Sequence, residues 1–334
     1  MNKPFFTFTI LILFCACAAF AGTDIEIYSQ SAPVKNKNAK IDALEKRADM
    51  LVEDGQYLQA ENIYKELANQ KTSKKKKFIY NIKLGDLAEL GGNYSLSLDY
   101  YKKAENLYKK NIDVKYKIGD ILFKSNLYTL SENAFLDALD IDKNSNYAKM
   151  RLGDIYFSQN LYQKALERYA SIDAYYYTAQ IVSNTAECYK SAGKIDEALK
   201  AANDFLISNE SPQIYFLSAV LYADKKMYKE AEEQFLRVVT LAPENFAARV
   251  YLAGIYLNDG DMDKAQENLD SAYKLNSSYC AIDLLYAQIA CKKGKLYDAR
   301  RYAHSAYMKA KSDFSKEQAQ KLINFLKDKK TLKN

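Results

Sequence analysis

Three near-copies of one string, Lys83-Leu84-Gly85-Asp86-Leu87, Lys117-Ile118-Gly119-Asp120-Ile121 and Arg151-Leu152-Gly153-Asp154-Ile155, stand 34 residues apart. Self-similarity at that period marks an array of supersecondary units, each burying its apolar face by stacking on its neighbours. Extending the register in both directions gives eight units, starting near Ile41, Phe78, Ile112, Asn146, Ala179, Pro212, Phe246 and Cys280.

Two columns hold only small residues. The eighth position of the unit is Ala48, Gly85, Gly119, Gly153, Ala186, Ala219, Ala253 and Ala287, and the twentieth is Ala60, Ser97, Ser131, Ala165, Ala198, Ala231, Ala265 and Ala299. Small residues inside helix-period patterns imply that two helices per unit approach closely there. Glycine within a helix costs roughly 0.5–1 kcal/mol relative to alanine, so Gly85, Gly119 and Gly153 are expected at backbone contacts. Aromatic residues fill neighbouring columns, among them Tyr64, Tyr101, Phe135, Tyr169 and Phe235 at position twenty-four. Turn residues fall between the two helices at Gly55, Gly92, Asn126, Asn160, Gly193, Gly260 and Gly294, where a left-handed residue closes a helix.

Composition agrees with an all-α chain: of 334 residues, 11 are Gly and 4 Pro, Trp is absent, and Tyr reaches 29. Residues 1–21 read as a signal peptide, with Lys3 before the apolar run Phe5–Phe20 and the cleavage pattern Ala19-Phe20-Ala21. An uncleaved membrane anchor and a lipoprotein lipidated at Cys17 stay open as alternatives. The expected location is exported, periplasmic or at the outer cell surface. Without the leader, 47 basic residues face 42 acidic ones, spread along the chain, which does not point to nucleic acid. The lysine run Lys74–Lys77 falls where the register slips from 34 to 37 residues, and reads as an inserted loop. Cys188, Cys280 and Cys291 do not make a disulfide framework.

The pattern of small residues at eight and twenty, aromatic residues near eleven and twenty-four, and Pro243 at thirty-two resembles the tetratricopeptide repeat. The resemblance implies a right-handed α-solenoid with a C-terminal capping helix. Four segments follow: the leader 1–21, a flexible tether 22–40, eight repeats over 41–313, and a capping helix and tail over 314–334. In the cap, Ala319, Leu322, Ile323 and Leu326 share one side.

No catalytic, cofactor or metal site is expected. There is one histidine, His304, no nucleophile elbow, no Gly-rich phosphate loop and no His/Cys cluster. The resemblance places positions two, five, nine, twelve and thirteen of each unit on a concave groove. Position nine then gives an acidic row, Asp49, Asp86, Asp120, Asp154 and Glu187, with basic residues three positions earlier in the first four units. Salt bridges along each helix would contribute only about 0.2–0.5 kcal/mol. Beyond Glu187 the groove positions turn apolar, at Phe216, Val220, Val250 and Leu257. The expected partner is therefore a protein or peptide with basic or amide-rich and apolar segments, and the expected role a non-enzymatic interaction scaffold. A lipid-anchored accessory protein of an envelope assembly or solute-transport complex, and a hydrophobic-ligand binder, are the alternatives.

Overall fold

In the computed structural model the structure describes residues 37–331. The leader, Cys17, most of the tether and the last three residues lie outside them. The chain divides into two compact units at Leu107.

The first unit holds two helical hairpins, α1 (Lys37–Glu53) with α2 (Tyr57–Asn69), and α3 (Lys74–Leu90) with α4 (Tyr94–Leu107). The second holds six more: α5 (Ile112–Lys124) with α6 (Tyr128–Ile141), α7 (Asn146–Ser158) with α8 (Tyr162–Ala170), α9 (Ala179–Ser191) with α10 (Ile195–Leu206), α11 (Pro212–Asp224) with α12 (Tyr228–Leu241), α13 (Phe246–Asp259) with α14 (Met262–Leu275), and α15 (Cys280–Lys292) with α16 (Leu296–Lys309). A last helix, α17 (Asp313–Thr331), packs on α16. Among the described residues there is no strand, and within each unit consecutive helices pack in sequence, as in a solenoid.

The hairpins close by one device. A residue with positive φ ends each first helix: Gly55, Gly92, Asn126, Asn160, Gly193, Lys226, Gly260 and Gly294. In every case the amide of the next residue donates to the carbonyl five residues back, as Leu127 does to Leu122 at 2.9 Å and Lys295 to Ala290 at 2.8 Å. Lys226 is the member that sequence reading passes over, because nothing in its side chain favours φ +61°. At the other end, Ser73, Asn111, Ser145, Thr178, Ser211 and Asn245 cap first helices by accepting the amide three residues on.

Two expectations need correction. The lysine run is no loop: Ser73 caps it, and Lys74–Lys77 form the first turn of α3, which has 17 residues against 13 in α5 and α7. The insertion is absorbed as added helix because Lys76 Nζ finds Asp42 at 2.5 Å and Glu45 at 3.1 Å on α1. Helix α1 likewise begins at Lys37, inside the stretch read as tether. Nor do the glycines of position eight meet backbone. A β-carbon on Gly119 would lie 2.6 Å from the Phe135 ring, and Gly85 and Gly153 face Tyr101 and Tyr169 in the same way. At these three positions the ring at twenty-four occupies the space of the methyl group, whereas Ala48 with Tyr64 and Ala219 with Phe235 coexist. Where that partner is small or aliphatic, as with Ala202, Leu269 and Ala303, position eight is alanine.

Each unit has its own core. In the first, Tyr64, Leu67, Tyr80 and Leu84 are fully buried. In the second the core continues from Phe135 to Leu326, and α17 covers its end by setting Ile323 and Leu326 against Ala287, Ala290, Ala299 and Ala303. No helix among the described residues is long and apolar enough to cross a membrane.

Candidate functional site

The acidic row lies on first helices, with Asp49 and Asp86 on α1 and α3 of the first unit and Asp120, Asp154 and Glu187 on α5, α7 and α9 of the second. Three of its aspartates accept a hydrogen bond from the position twenty-four tyrosine of their own hairpin. Tyr101 Oη donates to Asp86 at 2.6 Å and also to Glu89 at 3.0 Å; Tyr169 Oη donates to Asp154 at 2.8 Å; Tyr64 Oη donates to Asp49. Burial, reinforced by these carboxylates, drives all three phenols well above their ordinary pKa. Asp120 has Phe135 where the others have tyrosine, and takes Tyr147 Oη at 2.6 Å and Arg151 Nε at 2.7 Å instead.

Two basic residues of position six reach backward to the preceding repeat. Lys83 binds Asp49, and Arg151 binds Asp120 while also reaching Asp154 at 3.0 Å along its own helix. The pair expected within one helix forms at Arg151 and Asp154, and both cations also tie neighbouring hairpins together. The same side chain also covers the preceding repeat's ring: Lys83 lies 5.2 Å from the Tyr64 centroid and Arg151 5.9 Å from that of Phe135. Asn184 takes the corresponding place on Tyr169, donating to its hydroxyl at 3.0 Å. Tyr251 stacks on Phe235 with centroids 4.9 Å apart. Position six thus latches the second, fourth, fifth and seventh repeats to the ring before them, by a cation at Lys83 and Arg151, by an amide at Asn184 and by an aromatic face at Tyr251.

These contacts set the electrostatics. Burial lifts the Asp154 carboxyl above its ordinary pKa, against the pull of Tyr169, Arg151 and Asn184. Asp49 is less buried; desolvation raises it, and the hydrogen bonds from Lys83 and Tyr64 outweigh that and hold it below the usual range. Glu187 is exposed on α9, at the end of the row. The structure therefore presents acids already engaged by neighbours, with Glu187 the most open.

The apolar half of the expected groove is corrected. Val250 and Leu257 are buried, 8% and 4% exposed, inside the core that α13 shares with α15. Phe216 and Val220 are half-buried against the same core, Phe216 edge-on to Phe235 and Tyr251. The capping helix covers the α15–α16 hairpin, so it is stacking of successive repeats that covers these residues. Sequence reasoning also passes over Tyr116 and Tyr147, whose rings lie 4.8 Å apart beside the acidic row; they occupy positions five and two of adjacent repeats. Helix α8 spans only nine residues, followed by the 3-10 turn Ala174–Tyr176. That break is legible in the run Tyr175-Tyr176-Tyr177, which leaves the repeat pattern.

His304 is exposed on α16, and no cluster of metal-ligating side chains occurs among the described residues. Hairpins of one kind, latched in series with a polar row along their first helices, define a helical-repeat scaffold. Residues 116–176, 189–246 and 228–279 match the family described as tetratricopeptide repeat, and this part of the chain is built of tetratricopeptide repeats. Among solved structures, the APC/C hetero-tetramer Cut9-Hcn1 is similar with a TM-score of 0.50 at 13% identity, covering 87% of this chain and 57% of that one, which supports the fold alone. YrrB, a TPR protein with an unusual peptide-binding site, has a TM-score of 0.47 and 19% identity over 58% of this chain and 97% of its own. A tetratricopeptide repeat protein from Parabacteroides merdae has a TM-score of 0.43 and 14% identity, over 86% and 99%. No curated protein matches the sequence. Proteins of this family are generally non-catalytic scaffolds that bind protein or peptide partners.

Proposed function

We propose that the chain is an exported interaction scaffold that holds a partner segment against the first-helix face of its repeats, the face that carries Asp49 and Asp86 in the first unit and Asp120, Asp154 and Glu187 in the second. The observation carrying this reading is the state of the acidic row. Its carboxylates are fixed by tyrosine hydroxyls and by cations of the next repeat before any partner arrives, so little ordering is left for binding to accomplish. A fixed row of alternating charge favours a polar, amide-rich or basic segment, and its contribution falls chiefly on specificity and association rate. Burial of Val250 and Leu257 counts against a hydrophobic ligand in the C-terminal half. Export is supported by the leader sequence alone, and the intact mass of the mature chain separates cleavage before Gly22 from acylation at Cys17.

The binding test uses Glu187, since reversing Asp154 would break three hydrogen bonds of the latch. A photo-crosslinking residue placed at Glu187 should give a partner adduct in the native envelope, and one placed at Lys200 on α10 should not. Glu187→Lys should reduce capture severalfold with unchanged helicity. Equal adducts from both positions would refute the first-helix face as the binding surface.

A further inference from the structure

The three-residue slip in the repeat register makes the first unit unlike the rest, and it moves Lys77 to the wall of a cavity. Three other pockets of comparable size among the described residues mix acids with bases or hold an acid alone. This one, about 500 Å³ between α2, α3 and α4, is lined by Lys65, Lys77 and Lys103 together with Asn69, Asn81 and Asn106, and by no carboxylate. Its remaining walls are Tyr100, Leu84, Ala68 and Leu107. We propose that this pocket binds a phosphoryl group.

Structural duties for these side chains account for part of the arrangement. The carbonyl ends of α2 and α4 each carry about half a unit of negative charge, and Glu61 pairs with Lys65 at 2.7 Å. The pocket remains cationic after both. Lys103 is held 4.6 Å from the Tyr100 centroid, which fixes its ammonium at the rim. Lys76 turns to α1 and its acids, whereas the next residue, Lys77, is half-buried against the cavity. Asn81 is 9% exposed, and its amide nitrogen donates to the Lys77 carbonyl at 2.7 Å, which positions the backbone carrying that lysine. A monovalent carboxylate would engage one or two of these donors. A tetrahedral oxyanion with two or more charges can face all three ammonium groups and the asparagine amides together.

The phosphoryl group could belong to a lipid headgroup or to a soluble phosphate compound, and the experiment separates the two. Inorganic pyrophosphate is titrated into the purified chain by calorimetry, with amide shifts of Lys77 and Asn81 followed by NMR. Vesicles of phosphatidylcholine with and without phosphatidylglycerol are then assayed for flotation. Pyrophosphate should bind with a shift confined to these helices. The pair Lys77→Gln with Lys103→Gln should weaken binding at least tenfold, while Lys102→Gln, exposed next to the pocket but outside it, should change it less than twofold. Flotation with anionic vesicles that pyrophosphate competes away, and that the paired substitution abolishes, assigns a lipid headgroup. Pyrophosphate binding without such flotation assigns a soluble phosphate. No pyrophosphate binding above that of chloride, or an equal loss in Lys102→Gln, overturns the proposal. Should the paired variant fail to fold, shifts in the wild-type chain located away from α2–α4 overturn it as well.

Discussion

Gly119→Ala puts the packing argument at risk most directly. Judged by helix propensity alone, the substitution on α5 should stabilise the chain by about 0.8–1 kcal/mol. Yet the new methyl would lie 2.6 Å from two ring atoms of Phe135 and 3.0 Å from a third. Phe135 is fully buried and hemmed in by Tyr147, 6.3 Å away, and by Arg151, so the ring cannot swing clear as a surface side chain would. Overpacking of this kind costs about 1–3 kcal/mol. The net expectation is a loss of about 1 kcal/mol, held to the low end because Ala48 with Tyr64 and Ala219 with Phe235 are accommodated elsewhere in the chain. For a unit of this size that is a fall of about 2–4 °C in melting temperature.

The informative assay is a double-mutant cycle by urea denaturation, with hydrogen exchange of α5 and α6 as the local readout. Phe135→Leu alone should destabilise by leaving space, whereas on the Gly119→Ala background the methyl fills it. A favourable coupling of about 1 kcal/mol or more is expected. The combined pair reproduces the Ala253 and Leu269 combination found in the seventh hairpin. If Gly119→Ala instead raises stability by the full propensity gain and the two changes simply add, the ring is not what keeps position eight small.

Three further outcomes follow from the same geometry. Tyr169→Phe removes the donor to Asp154 and the acceptor for Asn184, and should cost about 1.5–3 kcal/mol, since the lost bond is to a carboxylate; a loss below 0.5 kcal/mol in denaturant titration would show that the latch contributes little. Lys226→Gly should stabilise by about 0.5–1 kcal/mol, because a side chain at φ +61° is strained and glycine is not, and a lower melting temperature would contradict the shared turn. Among the three described cysteines, Cys188 is buried, and burial pushes its thiol up to about 11. At pH 8 a thiol reagent should modify Cys280 and Cys291 in the folded chain and reach Cys188 only in denaturant.

Much of this chain is legible before folding because a repeat states its packing rule many times. The columns at eight and twenty need only a residue type, small, and the turn column only a residue that tolerates positive φ; both are local requirements, so the sequence carries them openly. Where local chemistry gives no sign, as at Lys226, the turn forms because seven equivalent turns and the stacked helices impose it. The lysine run misleads for a related reason: a charged tetrapeptide is indifferent between loop and helix until Ser73 caps it and Asp42 and Glu45 on α1 meet Lys76.

The sequence by itself determined the period, the two-helix unit and which positions face inward, since each follows from side-chain size and backbone preference within some 34 residues. Tertiary structure alone decided what the polar residues do. Charges separated by one repeat in sequence become neighbours only when hairpins stack, so Lys83 meets Asp49 and Arg151 meets Asp120 across the repeat boundary and not along a helix. By the same stacking Val250 and Leu257, groove residues by position, become core, and three lysines on three different helices come to line one cavity.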